Sequence, residues 1–351
     1  MGQQISEIFS PPSRPNDDIH DYYGRLLAQH VDAARERLDG GEEPAAVDMN
    51  QFRIQGLIGQ GAFAKVLAVK RDDDGTTYAM KRISKVDCAP DRRSSFVNNA
   101  RKEKSILYGL SGWDFIVQLH WHCVDNRYVC FVLSFAERGD AMMMFRNSRP
   151  PEENLPFYLA QVVMALEFMH GATVVHSDLK LGNILVGADG YLMLTDFGLS
   201  GFIGEGLRGG TLQYMSPEVL AHMALAPSMD WWSLGVIAYE LYCRAYPYTG
   251  TSQNALAKKM RETDVKFPLT VRVASVVKSF IKKLLCKRTE KRLGSGTTGE
   301  VRKHSIFSNV DFEKLYRKRY SIQPLPRKIT IRKYRGVEPR YPKEDPCPGI
   351  G

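Results

Sequence analysis

The stretch VVHSDLKLGNILV, residues 174–186, places three polar side chains between two apolar runs. They are the carboxylate of Asp178, the ammonium of Lys180 and the amide of Asn183, and they fall within one short segment. Taken alone, the stretch also fits an ordinary capped turn. Its meaning therefore depends on which other charged and glycine-rich segments accompany it along the chain.

Four such segments carry features of a phosphate and metal site. GQGAF at 59–63 lies between two strand patterns, where glycines let backbone N–H groups approach an anionic ligand closely. Lys81 lies within a strand pattern, a costly place for a charge unless it is paired, and Glu103 on the following helix is the expected partner. Asp196 in TDFG follows an apolar strand, and a single carboxylate there suits Mg²⁺, which prefers hard oxygen ligands.

In order and spacing, these residues closely resemble a eukaryotic protein kinase from residue 52 to about 320. The resemblance implies ATP and Mg²⁺ as cofactors and a protein hydroxyl as the acceptor. It implies that Asp178 accepts the hydroxyl proton and that Lys180 lies beside the transferred phosphoryl group. Asn183 and Asp196 are the implied Mg²⁺ ligands. Phosphoryl transfer gains mostly from positioning and charge neutralisation, so a short loop with these side chains meets the requirement.

The same resemblance predicts a nucleotide site. It implies a catalytic role for Lys81, with Leu133 as the gatekeeper residue before a hinge near Phe135. Apolar side chains are expected to enclose the adenine ring. The residues expected to bind ATP are Ile58, Gly59, Gln60, Gly61, Ala62, Phe63, Ala64, Val66, Ala79, Lys81, Glu103, Leu133, Phe135 and Leu185.

Within the kinases, the chain is most similar to the AGC group, that of the cyclic-AMP-dependent kinase. DWWSLGV at 230–236, KRLG at 291–294 and FSNVDFEKLYRKR at 307–319 resemble signature stretches of that group. Thr211 in GGTLQYMSPE resembles the AGC threonine that bridges the catalytic Asp and Lys. This resemblance predicts Ser or Thr, not Tyr, as the acceptor residue.

Three further residues resemble structural supports of the large lobe. Glu218 and Arg292 resemble its buried ion pair, and Asp230 resembles the residue that holds the backbone of the catalytic loop. We leave these three out of the catalytic set. Their presence in family order makes a coincidental match of the separate motifs hard to sustain.

Two acids predict a preference among peptide substrates. Asp140 and Glu240 occupy positions that resemble the AGC acids receiving Arg three and two residues before the phosphoacceptor, a charge-assisted pairing. Gly182 replaces a further acid beside Asn183. The expected result is a mild preference for basic peptides, strongest for Arg three residues before the acceptor.

Ser177 departs from the family, most members of which have Arg before the catalytic Asp. That Arg pairs with a phosphate on the activation loop. Residues 198–210 carry Ser200 as their only hydroxyl, and Leu207 stands at the usual AGC phosphosite. The sequence therefore predicts a kinase that does not depend on activation-loop phosphorylation. Ala64 replaces the third loop glycine, a small loss that activity is expected to survive.

Two other functions compete with an active protein kinase. A membrane-tethered pseudokinase scaffold would fit Ser177, Ala64 and the reduced activation loop. A scaffold, however, has no physical need of all six polar residues of the site, which are Lys81, Glu103, Asp178, Lys180, Asn183 and Asp196. A small-molecule phosphotransferase of kinase-like fold is disfavoured by Thr211 and the SPE segment at 216–218, which resemble a peptide-docking platform.

Composition and pattern divide the chain into three parts with an α+β fold class. The central part is expected to be bilobal, with a small antiparallel β-sheet lobe and a larger, mainly helical lobe. Apolar residues from Ile19 to Leu38 recur at spacings of three and four, which predicts an amphipathic helix. The predicted parts are residues 1–50, an N-terminal extension; 51–320, the kinase domain, with lobes at 51–135 and 136–320; and 321–351, a basic, Pro-containing tail.

Both ends of the chain suggest contact with a membrane surface. MGQQIS matches the N-myristoylation pattern, with Gly2 as the acylated residue. One acyl chain binds marginally without a second signal, and residues 301–351 hold 13 Lys or Arg against five Asp or Glu. An acyl chain folded into the large lobe and a plainly solvated basic surface are the alternatives. Nucleic acid is not an expected partner.

The tail after Tyr320 also lacks the hydrophobic motif with which AGC kinases brace their small lobe. Any such bracing is therefore expected from the N-terminal helix or from a partner. No transmembrane helix is predicted, because the longest apolar stretch, 231–243, is shorter than the ~20 residues that a span needs. The start of the chain does not resemble a secretory signal. Six cysteines without CxxC pairs argue against zinc and a disulfide scaffold and for a reducing compartment. Together with the acylation pattern and the basic C-terminal part, this predicts a cytoplasmic location, peripheral at the inner face of the plasma membrane.

Overall fold

The computed structural model describes residues 17–40, 44–61, 64–86, 93–148, 150–207, 209–296, 299–321 and 329–334. A small lobe built on one β-sheet is followed along the chain by a larger lobe built mainly of helices. This arrangement confirms the predicted bilobal α+β fold.

The small lobe is a five-stranded antiparallel sheet with the order β1-β2-β3-β5-β4. Its hairpins follow from local turn chemistry. Between β2 and β3, for example, Asp74 accepts a hydrogen bond from the backbone N–H of Thr76, and Gly75 takes a φ of +68°. One helix, α2 (Arg93–Gly109), lies between β3 and β4 in the chain. The strands are β1 (Phe52–Gln60), β2 (Ala64–Arg71), β3 (Thr77–Ser84), β4 (Leu119–Val124) and β5 (Tyr128–Ser134).

The large lobe is centred on two buried helices, α4 (Leu155–Gly171) and α6 (Pro227–Cys243). Both are apolar nearly all round, which is the pattern of a helix enclosed by a core. None of the described helices is long and apolar enough to span a membrane. The other helices are α3 (Ala141–Asn147), α5 (Pro217–Leu220), α7 (Gln253–Glu262), α8 (Ser275–Leu284) and α9 (Phe312–Tyr316), and the short strands are β6 (Val174–Val175), β7 (Ile184–Val186), β8 (Leu192–Leu194) and β9 (Gly201–Phe202).

The N-terminal amphipathic helix is present as α1 (Asp17–Gly40) and contacts both lobes. It packs on α2 of the small lobe and on α4 and α9 of the large lobe. Arg37 donates hydrogen bonds to the backbone carbonyls of Gly109 and Ser111, at the end of α2. The apolar stripe that faces the protein consists of Tyr23, Leu27, Val31 and Ala34.

The tail contributes to the small lobe, which the sequence did not lead us to expect. Leu57 on the edge strand β1 and Arg332 exchange backbone hydrogen bonds of 2.9 and 3.0 Å. Tyr334 accepts a hydrogen bond from Arg82 and packs against the apolar cluster of the sheet. Gly56 permits this close approach, because a Cβ there would lie 2.4 Å from the carbonyl oxygen of Arg332. Backbone pairing with an edge strand needs no aromatic motif. The sequence of the tail therefore gave no sign that it supports the small lobe.

Glu167, inside the large lobe, predicts a pH-dependent stability. It is buried in α4, with Arg302 Nη1 3.7 Å from its Oε2, and burial raises the pKa of Glu167 to about 7. The unfolded chain should titrate this carboxyl near pH ~4.3. Between those values the folded state binds more protons than the unfolded state, so stability falls as the pH rises through this window.

We therefore expect Glu167→Gln to raise the free energy of unfolding at pH 8 by on the order of 2 kcal/mol, because Gln carries no charge to desolvate. The gain should shrink at pH 5.5, where the wild-type carboxyl is mostly protonated. Urea unfolding of both proteins at the two pH values measures this. A gain of the same size at both pH values, or no gain at pH 8, would contradict it.

Candidate active site

A cleft of about 700 Å³ lies between the two lobes and contains most of the residues expected to bind ATP. Phe135 itself does not line the cleft, but Ser134 and Ala136 on either side of it do. Backbone contact between the hinge and adenine stays a prediction. Ala62, Phe63 and Gly2 lie outside the described residues. The predicted residues that line the cleft are Ile58, Gly59, Gln60, Gly61, Ala64, Val66, Ala79, Lys81, Glu103, Leu133 and Leu185.

Lys81 stands at the centre of a charged cluster in this cleft. Its Nζ atom lies 2.5 Å from Glu103 Oε1 and 2.9 Å from Asp196 Oδ1. Strand β3 presents the lysine, helix α2 presents the glutamate, and Asp196 follows β8. Burial alone would lower the pKa of Lys81, but the two carboxylates outweigh burial and hold that pKa above its ordinary value. Lys81 is therefore an ammonium at any physiological pH.

Asp196 is held in an uncommon backbone conformation. Its φ of +64° is left-handed, which is rare for residues other than glycine. Burial would raise the pKa of its carboxyl, but the charge of Lys81 and its hydrogen bond outweigh that effect, so the pKa lies below its usual value. The carboxylate is thus ionised and lines the cleft.

Asp178, Lys180 and Thr211 form a second cluster of short hydrogen bonds. Asp178 Oδ1 accepts from the backbone N–H and the hydroxyl of Thr211, at 2.8 and 2.7 Å. Lys180 Nζ donates to Asp178 Oδ2 at 2.6 Å and to Thr211 Oγ1 at 2.7 Å. Thr211 is therefore in direct contact with both Asp178 and Lys180, as its resemblance to the bridging AGC threonine predicts.

Asn183 joins this cluster through its amide nitrogen. Nδ2 donates to the backbone carbonyl of Asp178 at 2.9 Å and to Oδ2 of the same residue at 3.1 Å. An amide held through its nitrogen presents its oxygen as the atom that can bind a cation. The backbone N–H of Thr195 donates to the carbonyl of Asn183, which places the segment before Asp196 alongside.

The side-chain oxygens of Asn183 and Asp196 suit Mg²⁺, and they are too few for a metal that takes all its ligands from the protein. Asn183 and Asp196 both line the cleft. In the part of the chain that the structure describes, no group of three or more His, Cys, Asp or Glu side chains is arranged to hold a metal. Mg²⁺ usually takes one or two ligands from the protein and completes its shell with water and phosphate oxygens.

The predicted supports of the large lobe are also in place. Buried Asp230 accepts hydrogen bonds of 2.9 Å from the backbone N–H groups of His176 and Ser177, directly before Asp178. Arg292 and Glu218 form a buried, two-pronged ion pair. The first contact fixes the backbone that carries the catalytic cluster, and the second joins the segment after Thr211 to the end of the domain.

Two serine hydroxyls connect the catalytic loop, residues 176–183, to the activation segment, which is the activation loop at 198–210. Ser177 Oγ donates to the carbonyl of Leu199 at 2.6 Å, and Ser200 Oγ donates to the carbonyl of His176 at 3.1 Å. Ser200 is 1% exposed, so its hydroxyl is closed to a modifying enzyme in this conformation. Leu207 packs against an apolar cluster that includes Val219. Hydroxyl and apolar contacts therefore hold this segment in place.

The two acids expected to receive substrate arginines differ in their surroundings. Asp140 lines the cleft and caps helix α3 by accepting from the backbone N–H of Met143 at 2.8 Å. Glu240 accepts a 2.6 Å hydrogen bond from the hydroxyl of Tyr214 and lines a separate depression of about 430 Å³. Burial raises the pKa of Glu240, against the hydrogen bond of Tyr214 and the charge of Arg146. The sequence did not indicate that Arg146 shares this depression.

Ile329 is a cleft residue that the sequence analysis missed. It belongs to the tail, its backbone N–H donates to the carbonyl of Glu137 at 2.7 Å, and its side chain lines the cleft beside Gly139. The tail reads as basic and Pro-containing, and no local pattern distinguishes this isoleucine from any other. Val117 and Thr195 also line the cleft; Val117 belongs to no motif, and in TDFG only the carboxylate of Asp196 was singled out.

Comparison with known proteins agrees with this geometry. A family model described as protein kinase domain matches residues 52–307. Protein kinase 2 of Dictyostelium discoideum is 32% identical over 306 residues, which cover 86% of this chain and 63% of that protein. RAC-beta serine/threonine-protein kinase of Rattus norvegicus is 30% identical over 317 residues, covering 87% and 64%. Ribosomal protein S6 kinase alpha-4 of Mus musculus is 30% identical over 350 residues, covering 92% and 44%.

The chain thus spans less than two thirds of the length of each of these relatives. The family model nevertheless matches most of the chain, and the match contains the five-stranded sheet, the two central helices of the large lobe and both charged clusters. This chain belongs to the protein kinase family.

Proposed function

We propose that this chain is an active, AGC-like serine/threonine protein kinase that transfers the γ-phosphoryl group of ATP to protein hydroxyls. The observation that carries the proposal is the presence of two complete charged clusters, one lining the cleft and one joined to it through Asn183. Lys81, Glu103 and Asp196 form the first. Asp178 and Lys180 belong to the second, which Thr211 closes.

The first cluster is suited to holding a nucleotide. The Lys81 ammonium, kept charged by its two carboxylates, would bind phosphate oxygens of ATP. Asn183 and Asp196 would hold Mg²⁺, which supplies neutralisation of the charge on those oxygens. Apolar residues such as Val66 and Leu185 would cover the two faces of the adenine ring.

The second cluster is suited to the chemical step. Asp178 would orient the acceptor hydroxyl and take its proton while the new O–P bond forms and the bond to the leaving ADP oxygen breaks. Lys180 would lie beside the transferred group and offset its negative charge. Thr211 holds the side chains of Asp178 and Lys180 in one arrangement, so little reorganisation is needed at the moment of transfer.

Transfer of label from γ-labelled ATP by the purified full-length protein tests this function. The acceptors are three basic peptides that differ only in carrying Ser, Thr or Tyr, with an Ala peptide as the blank. We expect Mg²⁺-dependent labelling of the Ser and Thr peptides only. A pseudokinase scaffold would bind nucleotide without labelling any peptide, and that result would replace the proposal.

Asp140 and Glu240 lead to a prediction about substrate preference. We compare kcat/KM for two peptides that carry Arg or Ala three residues before the acceptor. Asp140→Asn should lower the ratio of the Arg value to the Ala value by about fivefold, because a charge-assisted pair is lost. Asn caps a helix as well as Asp does, so α3 should keep its stability. Glu240→Gln is the matched control, since it should change selectivity two residues before the acceptor instead. Equal ratios in wild type and Asp140→Asn would contradict the assignment.

We also propose peripheral association with an anionic membrane, supported by the acylation pattern at Gly2 and by the basic residues after 301. Mass spectrometry of the mature N-terminus and binding to phosphatidylserine vesicles test it. Gly2→Ala should abolish the acyl mass and weaken vesicle binding. Binding that is unchanged by this substitution and by salt would contradict the proposal.

A further inference from the structure

An ion pair that plays no part in the proposed chemistry joins helix α2 to the activation segment. Lys102 Nζ contacts Glu205 Oε2, and the same carboxylate oxygen accepts a 3.0 Å hydrogen bond from the backbone N–H of Phe202. Lys102 Nζ also lies 5.5 Å from the centroid of the Phe202 ring. The side chain of Lys102 is 15% exposed, so the ammonium is largely removed from water.

The carboxylate of Glu205 is held in place by its own turn. The backbone N–H of Glu205 donates to the carbonyl of Phe202, and Gly204 between them has a φ of +91°, as a type II turn requires. Leu225, which is buried, exchanges backbone hydrogen bonds with Gly204 and Glu205. Because the backbone is fixed at both ends of the turn, little entropy is lost when the carboxylate engages Lys102.

Lys102 and Glu103 are consecutive on α2 and reach in different directions. Successive residues of an α-helix point about 100° apart around its axis. Glu103 pairs with Lys81 in the cleft, whereas Lys102 pairs with the activation segment. Two adjacent anchors on separate parts of the protein thus act on α2, in addition to its packing against α1. Loss of the second anchor would let α2 turn and carry Glu103 away from Lys81.

The packing around the pair leaves no space for an added side chain. A Cβ at Gly201 would lie 2.5 Å from Glu205 Oε2 and 3.0 Å from Lys102 Nζ. The pair therefore lies directly over the backbone of β9, the strand that pairs with β6 just before the catalytic loop. In this way the pair joins α2 to the small sheet of β6 and β9.

We propose that Glu205 is a positioning residue that holds α2 in its active place through Lys102. Its carboxylate is a permanent negative charge in the segment where other kinases acquire one by phosphorylation. The inference deepens the proposed kinase function and rests on it for its effect on rate. Its effect on the position of α2 does not depend on phosphotransfer.

Both effects are measured on the full-length protein with Glu205→Gln, Lys102→Gln and the double variant. Each single substitution should lower kcat by about tenfold, and the double variant should lose no more than either single, because both remove the same contact. The charge exchange, Lys102→Glu with Glu205→Lys, should recover activity relative to Glu205→Lys alone. Glu313→Gln, which breaks an exposed pair with Arg317, should leave kcat unchanged.

Hydrogen exchange of the α2 amides is the second measurement. Exchange should be faster in Glu205→Gln than in wild type and unchanged in Glu313→Gln. Wild-type kcat in Glu205→Gln, additive losses in the double variant, or unchanged α2 exchange would each overturn the inference. The two proposals can also fail separately. If the wild-type protein transfers no phosphoryl group but Glu205→Gln still speeds exchange in α2, the proposed function is overturned and the positioning contact is supported.

Discussion

Asp178→Asn should lower kcat by about 10³-fold and leave the affinity for Mg-ATP nearly unchanged, because general bases contribute roughly 10²–10⁴-fold. Asn has the shape of Asp and can still accept hydrogen bonds from Thr211 through its amide oxygen. It cannot take a proton from the acceptor hydroxyl. The loss should therefore fall on the chemical step and not on nucleotide binding.

Single-turnover transfer to a Ser peptide measures the chemical step, and direct titration with Mg-ATP measures nucleotide binding. Asp189→Asn is the matched control, because Asp189 lies in the turn between β7 and β8 and accepts a 3.0 Å hydrogen bond from the backbone N–H of Tyr191. An amide oxygen can make the same bond, so this variant should retain wild-type rates. Equal transfer by wild type and Asp178→Asn would exclude the assignment of Asp178.

The second large effect is expected at Lys81. Lys81→Met should lower kcat by about 10²–10³-fold, as removal of one preorganised donor to a developing charge does elsewhere. Met has a similar length and fills the same space. Without the ammonium, however, Glu103 and Asp196 are two neighbouring carboxylates with no cation between them, and one of them should then take up a proton.

A double variant distinguishes this account from a general loss of structure. Glu103→Gln in the Lys81→Met background should raise the free energy of unfolding, since it removes an uncompensated buried acid, and it should not lower activity further. Lys70→Met, at an exposed position on β2, is the control for loss of a lysine. Wild-type activity in Lys81→Met would contradict the role of Lys81.

Much of this site was predictable because its residues form short local motifs. Asp178, Lys180 and Asn183 lie within six residues of one another, and Thr211 follows on the next segment. Their chemistry restricts which residue types can stand at each place. The geometry then brought together the residues that the motifs had singled out.

The parts that escaped prediction depend on contacts between distant segments. Glu205 is one acid among many in the sequence, and nothing local indicates that it meets Lys102 on α2. Ile329 reaches the cleft where the tail bonds to Glu137 and to the edge strand β1, contacts made through backbone atoms that any sequence supplies.

We propose that the catalytic arrangement is complete without a phosphate on the activation segment. The most direct measurement is peptide phosphorylation by full-length protein that has been treated with a phosphatase and then freed of it. Mass spectrometry first verifies that residues 198–210 carry no phosphate. Our account predicts the same kcat before and after treatment. Loss of activity on dephosphorylation of this segment, with recovery when it is phosphorylated again, would contradict it.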